Sequence, residues 1–309
     1  MYCNTFSPFR QQEKNGLNDV LASRSIQRVF RRQIWAPFCK AAETYHLISP
    51  GDRIAVCYSG GKDSSLLACC MRDYQAYAGV DFSFEIILLD PGYEAEIRET
   101  AVRNAETLGF FPHISEAPIF EAVAEAPRSF CHICASMRRG YLYESARKLG
   151  CNKIALGHHL DDVAETTLMS VLFGGRFRGM MPYVPSDSHP GMALIRPLTL
   201  VREKDVSAWA DRMALRPITC ACRMTRREEP GARRKVKELI RSLEAETPNV
   251  VGNLFGSLSS VSLDTVLRYR MDQHSPWVDS LADRLHFPDD SDIMMQEKGG
   301  AGHAGKDGV

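Results

Sequence analysis

Ile54-Ala55-Val56-Cys57-Tyr58-Ser59-Gly60-Gly61-Lys62-Asp63-Ser64-Ser65 is the stretch on which the rest of the chain is organised. Ile54 to Tyr58 is a short apolar run, the pattern of a strand buried on both faces of a parallel sheet. Ser59-Gly60-Gly61 interrupts it with residues that permit a tight turn and close approach of a ligand to the backbone. Asp63-Ser64-Ser65 then opens an apolar helix through Leu66, Leu67 and Met71, with side chains suited to capping. Strand, Gly-rich turn and helix N-terminus direct several backbone N–H groups at one point. That arrangement suits an anion, phosphate above all.

The spacing is not the Walker A pattern, which needs four residues between its glycines. Ser-Gly-Gly-Lys-Asp-Ser instead resembles the PP-loop of the ATP pyrophosphatases. The resemblance implies cleavage of ATP between its α and β phosphates and transfer of AMP to a substrate oxygen. It also implies ATP contacts from Ser59, Gly60, Gly61, Lys62, Asp63 and Ser64.

Outward from the loop, apolar runs at Phe84–Leu89, Phe111–Ile114, Lys153–Leu156 and Met192–Ile195 predict further strands. A helix over Glu94–Leu108 lies between the first two of these, and another over Arg202–Ala214 follows the last. Strands alternating with helices define an α/β fold, a doubly wound parallel sheet, whose ligands gather at the carboxyl ends of its strands. Asp90 and Gly157-His158-His159 end two of those strands and are expected in one cleft with the PP-loop. Asp161-Asp162 opens the following helix. Two carboxylates beside a phosphate site suit Mg²⁺, which takes oxygen ligands and shares phosphates, although either aspartate also suits a helix cap. Lys62, Asp63, Asp161 and Asp162 are the candidate catalytic residues.

The 309 residues carry 38 Lys and Arg against 38 Asp and Glu, a net charge of zero, so any nucleic-acid surface must be local. No run reaches the length of a membrane span and the first ten residues lack the apolar core of a signal peptide, which points to the cytoplasm and to no membrane. Ten cysteines in a reducing compartment argue for metal or redox chemistry and against a disulfide scaffold. Cys131-His132-Ile133-Cys134 and the distant Cys220-Ala221-Cys222 offer up to four thiolates. By spacing, zinc and an iron–sulfur cluster fit equally. Cys57, Cys69 and Cys70 read as core residues.

Four segments are expected. Residues 1–48 are an N-terminal helical segment, with one helix over Asn18–Leu47 marked by Ile26, Phe30, Ile34 and Phe38. Residues 49–215 are an ATP-binding α/β domain carrying Cys-x-x-Cys. Residues 216–275 are a helical region with Cys220 and Cys222, and residues 276–309 are a Gly-rich tail read as disordered.

The motifs also fall in a telling order. The PP-loop is followed by Cys131-x-x-Cys134 with Arg138-Arg139-Gly140, by Gly157-His158-His159-x-Asp161-Asp162 and by Gly174-Gly175 with Gly179-Met180-Met181-Pro182. Arg196-Pro197-Leu198 and Arg202-Glu203-Lys204-Asp205 come last. This order resembles the tRNA 2-thiocytidine synthetase family over roughly Ile26 to Leu263. The resemblance implies ATP-dependent thiolation of a cytidine in the tRNA anticodon loop beside a [4Fe–4S] cluster. By position Cys131 and Cys134 are two of its ligands, with Cys222 the third and Cys220 the alternative, since Cys-x-Cys here is one residue shorter than the family's pair. The implied partners are tRNA and a sulfur donor, a cysteine desulfurase system or hydrosulfide; a homodimer is one state the sequence admits.

Arg138, Arg139, Arg176 and Arg178 are the candidate tRNA contacts, with Phe177 and Tyr183 placed to stack a base. Two rival readings remain. One is a PP-loop sulfurtransferase or amidotransferase acting on another RNA base or a small molecule. The other is a nucleotide-binding protein with a structural zinc site, to which the intact Lys62, Asp63 and Asp161-Asp162 are superfluous.

Overall fold

The computed structural model describes residues 19–124, 130–216, 218, 231–270, 275–276 and 278–279. The chain forms two compact units, Met1–Gly256 and Ser257–Val309.

The first unit is built on β1 (Arg53–Tyr58), which is central because both its faces are apolar. Ile54, Val56 and Tyr58 face one layer of core, and Ala55 and Cys57 face the other. Side chains alternate along a strand, so a continuous apolar run can be buried only where helices cover both faces. On the first face lie α1 (Ala36–Thr44) and α2 (Lys62–Tyr77), with Phe38, Leu66, Leu67 and Met71 fully buried. The second face is covered by α5 (Phe130–Lys148) through Tyr143 and Ala146.

β1 pairs in parallel with β2 (Ser83–Asp90) on one side and with β4 (Lys153–Ala155) on the other. The sheet continues through β3 (His113–Glu116) at one edge. At the other it passes through β6 (Ala193–Ile195) to β5 (Tyr183–Pro185), in the order β3-β2-β1-β4-β6-β5. Only β5 runs antiparallel. The expected parallel sheet is therefore present with one antiparallel edge strand added. Connecting helices are α3 (Ala95–Thr107), α4 (Ile119–Ala124), α6 (Leu160–Gly174) and α7 (Glu203–Arg212). Chain order reverses between β1 and β4, so the crevice at their carboxyl ends is the topological switch point.

The N-terminal helix departs from the single α-helix expected. Ser25–Val29 and Arg31–Trp35 are π turns, separated by a break at Phe30. Ile26, Phe30, Ile34 and Phe38 recur every four residues, wider than the 3.6 of an α-helix. Wider π turns keep Ile26, Ile34 and Phe38 on one buried stripe. Pro37, in the first turn of α1, cannot donate back into the preceding turn and favours the irregularity there.

Two further helices, α8 (Ala232–Glu246) and α9 (Val250–Ser257), follow. Val236, Ile240 and Val251 pack on Ala164 of α6 as a separate small core. In the second unit a short 3₁₀ turn, Leu263–Thr265, precedes the two-stranded antiparallel pair β7 (Arg268–Tyr269) and β8 (Val278–Asp279). The tail beyond residue 279 lies outside the described residues. Among those described, no helix is long and apolar enough to cross a membrane.

Candidate active site

The loop after β1 is fixed by its backbone before any side chain acts. Gly60 has φ +77°, and a Cβ there would fall 2.5 Å from Ala101 Cβ and from Ile218 Cδ1. Only glycine meets both conditions. Asn104, buried on α3, donates from Nδ2 to the carbonyls of Gly60 (3.0 Å) and Arg216 (2.9 Å) and accepts from the Arg216 N–H (3.2 Å). It therefore clasps the loop to the segment that runs toward Cys220. Ser64 Oγ closes the turn from inside, donating to the Gly61 carbonyl and accepting from the Ser59 N–H. No side chain caps the N-terminus of α2. The capping role expected of Asp63-Ser64-Ser65 is thus absent, and the positive end of the helix is left facing the crevice.

Lys62 Nζ lies 2.8 Å from Asp63 Oδ1 and 3.5 Å from Glu203 Oε1. Partial burial works against its charge, but these two carboxylates outweigh that and raise its pKa, so Lys62 is a permanent cation. The turn after β4 meets the same loop from the neighbouring strand. A Cβ on Gly157 would sit 3.0 Å from the Asp63 carbonyl and 3.1 Å from the Ser64 nitrogen.

The two histidines differ in role. His159 is buried and caps α6, its Nδ1 accepting from the Asp162 N–H (3.3 Å) while the Asp162 carboxylate accepts from the His159 N–H (3.1 Å). His158 faces the cavity and accepts from Arg196 Nε at 3.2 Å. Burial pushes its pKa down to about 4; Asp162 pulls upward, but Arg196, Arg233 and His159 add to the fall, so the ring is neutral near pH 7. Burial and neighbouring Arg139 likewise lower Arg196, to about 10.

The structure brings some of the predicted site residues together and not others; Gly60, Gly61 and Lys62 belong to the loop but do not line the cavity that its other residues share. Ser59, Asp63, Ser64, Gly157, His158, Asp162, Arg138 and Arg139 line one cavity of about 550 Å³ at the switch point. Asp90 and Asp161 are engaged elsewhere. Asp90 closes the turn after β2, accepting from the N–H groups of Gly92 (3.0 Å) and Tyr93 (2.7 Å). Asp161 is gripped by Arg202 Nε and Nη2 at 3.0–3.2 Å and by the Glu203 N–H at 2.6 Å. Arg176 and Arg178 lie exposed on the loop after α6.

On α5, Cys131 and Cys134 stand three residues apart in sequence. Cys134 is buried against Leu89, Ala117 and Ile119. Arg138, a turn further on, lays its guanidinium over the Phe120 ring at 5.5 Å, and its Nε is buried with no hydrogen-bond partner. The Cys131 side chain, Cys220 and Cys222 fall outside the described residues. Cys57, Cys69 and Cys70 are buried as expected of core residues; burial pushes Cys57 and Cys69 up to about 12. Among the described residues no three His, Cys, Asp or Glu side chains converge as a metal site.

Asn104 was not legible as a site residue, although a signal exists. It shares the buried stripe Ala101, Asn104, Ala105, Leu108, where an amide must find buried partners.

This loop at this switch point defines the PP-loop class of nucleotide-binding proteins. The family model described as the PP-loop domain matches residues 28–219. The tRNA-cytidine(32) 2-sulfurtransferase of Geobacter metallireducens is 35% identical over 225 residues, covering 72% of this chain and 87% of the relative. That of Verminephrobacter eiseniae is 32% identical, covering 83% and 81%. The chain belongs, within the PP-loop class, to the tRNA-cytidine(32) 2-sulfurtransferase family. Among solved structures, the U34-tRNA thiolase NcsA from Methanococcus maripaludis with its [4Fe-4S] cluster superposes with a TM-score of 0.58 at 22% identity, covering 74% of this chain and 80% of that one. At that identity the likeness concerns the fold.

Proposed function

We propose that this protein thiolates tRNA at C2 of cytidine 32, in the cytoplasm, in two steps at one cavity. The observation that carries the reading is the convergence of the PP-loop, His158, Asp162 and the Arg138, Arg139 and Arg196 cations on a single space at the switch point. In the first step O2 of the base attacks the α-phosphorus of ATP and pyrophosphate leaves. Lys62 and the uncapped N-terminus of α2 neutralise charge that grows on the phosphates. In the second step a sulfur nucleophile bonds to C2, and AMP departs with the former O2. A cysteine desulfurase system or hydrosulfide is the donor in this proposal, and a homodimer is its working assembly.

Asp63 and Asp162 are the carboxylates that suit Mg²⁺, which takes one or two carboxylates together with substrate phosphates. For the cluster, Cys134, buried on α5 one residue before the cavity-lining Ala135, is one thiolate that suits such a group, and Cys131, three residues earlier in sequence, is the second ligand in this proposal. Cys222 is the third ligand in this proposal and Cys220 the alternative. Held by these thiolates, a [4Fe–4S] cluster would supply Lewis-acid chemistry toward the sulfur nucleophile. The unpartnered Nε of Arg138 supports an anionic or polar occupant at this wall.

The experiment is nucleoside mass spectrometry of tRNA incubated anaerobically with the protein, ATP, Mg²⁺ and sulfide. 2-Thiocytidine is expected with ATP and absent without it, and Lys62→Ala is expected to lower the yield at least ~100-fold, the scale of losing one preorganised electrostatic contact. Thiolation that persists without ATP would remove the adenylation step. A colourless protein holding one Zn²⁺ after anaerobic purification would remove the cluster.

A further inference from the structure

Lys62 is committed before ATP arrives, and the surroundings of its partner indicate how it is released. Glu203, the first residue of α7, lies 3.5 Å from Lys62 but only 2.7 Å from Lys237 of α8. Lys237 also approaches Glu165 at 3.9 Å. Four charged groups in successive contact alternate in sign, Asp63, Lys62, Glu203, Lys237. Their side chains are between about a quarter and a third exposed, so water screens them incompletely. Among the described residues Glu203 has no ion-pair partner besides Lys62 and Lys237. A carboxylate in such a place holds whichever cation remains to it. Were Lys237 absent, Glu203 would compete with the ATP phosphates for Lys62.

We propose that Lys237 is a positioning residue for the nucleotide site: by keeping Glu203 paired, it lets Lys62 transfer from Glu203 to the phosphates of ATP. The inference rests on the reading of the PP-loop as the ATP site. It adds that the C-terminal helical region, through α8, sets the affinity of that site. The small apolar core of Val236, Ile240 and Ala164 fixes where Lys237 stands relative to α6, so the device has a rigid mount.

The test is a double-mutant cycle read by calorimetric binding of α,β-methylene-ATP, which resists cleavage, at fixed ionic strength. Lys237→Met keeps the stem and removes the charge, and is expected to weaken binding tenfold or more. Glu203→Gln is expected to bind at least as tightly as the wild type. In the Glu203→Gln background the effect of Lys237→Met is expected to shrink to threefold or less, because Asp63 holds Lys62 equally in both backgrounds and the carboxylate that Lys237 would release is gone. Lys237→Arg is expected to bind like the wild type. A general loss of positive charge predicts instead the same weakening in both backgrounds, and that additive result would overturn the proposal. So would weaker binding by Glu203→Gln, which carries no unpaired carboxylate and serves even if Lys237→Met folds poorly. No binding by the wild type would overturn the nucleotide reading with it, whereas an additive cycle on a wild type that binds overturns this proposal alone.

Discussion

At the scale of single residues, the loop after β1 is held by Gly60 and Asn104, neither of which lines the cavity. Gly60→Ala adds a methyl group where φ is +77° and where Ala101 and Ile218 already occupy the space. Strain and overpacking of this kind each cost about 1–3 kcal/mol; a urea melt is expected to show the loss together with lost ATP binding. Asn104→Ala leaves the Gly60 carbonyl and both Arg216 backbone groups without their side-chain partner. About 1–3 kcal/mol is expected, the cost of unmade buried hydrogen bonds. His158 gives a pH signature. Its folded pKa of about 4 lies below the value near 6.5 of an unfolded histidine. Between those values the unfolded chain binds the extra proton, so stability rises with pH across the window. The contribution is complete above about pH 6.5 and is lost as pH falls toward about 4. His158→Gln is expected to lose less stability than the wild type between pH 7 and pH 5, by denaturant unfolding. Equal losses would mean that His158 does not titrate as its surroundings dictate.

At the scale of elements, α8 is mounted on α6 through few side chains, so its attachment is sensitive to each. Ile240→Ala is expected to cost about 2–5 kcal/mol of local stability, the range for emptying a buried aliphatic site. Hydrogen exchange should localise that loss to α8 and α9 and spare β1. Elements were legible where apolar runs met clear turn signals: β1, β2, β4, β6, α3 and α7 fall within two residues of the sequence reading. β3 was expected at Phe111–Ile114 and forms at His113–Glu116, because Pro112 has no N–H to give β2 and pairing begins after it. β5 was not legible, since Tyr183-Val184-Pro185 is exposed at a sheet edge and carries no apolar face to read. The ion pairs of Asp161 with Arg202 and of Glu203 with Lys237 were hidden for another reason. Their partners are about 40 and 34 residues apart in sequence, and no local pattern records such contacts. Asp90 and Asp161 were legible as acidic residues at strand and helix ends; the partners of Asp161 come from the tertiary fold, whereas Asp90 is taken up by the local N–H groups of Gly92 and Tyr93.

At the scale of the whole molecule, a net charge of zero conceals several basic clusters, and two of them would meet tRNA differently. Arg138 and Arg139 stand in the wall of the switch-point cavity, whereas Arg176 and Arg178 stand on an exposed loop beside Phe177, which is 53% exposed. Tyr183, the other candidate for stacking a base, already lies 5.7 Å from the Lys153 ammonium, which leaves Phe177 the freer ring. If Arg176 and Arg178 contact tRNA phosphates, replacing both by Ala removes two neutralised charges. The slope of log K against log salt should then fall by about 1.4–1.8, at 0.7–0.9 per phosphate contact. Affinity for α,β-methylene-ATP should be unchanged, because neither side chain reaches the cavity. If ATP occupies the switch-point cavity, Arg138→Ala with Arg139→Ala should weaken both ligands, since these two residues line it and Arg138 also packs on Phe120. Iron content measured on that variant separates two causes. Iron retained with weak tRNA binding assigns the pair to RNA; iron lost with it assigns the pair to holding the Cys134 end of α5. A salt slope unchanged in the Arg176 and Arg178 variant would place the tRNA elsewhere on the surface.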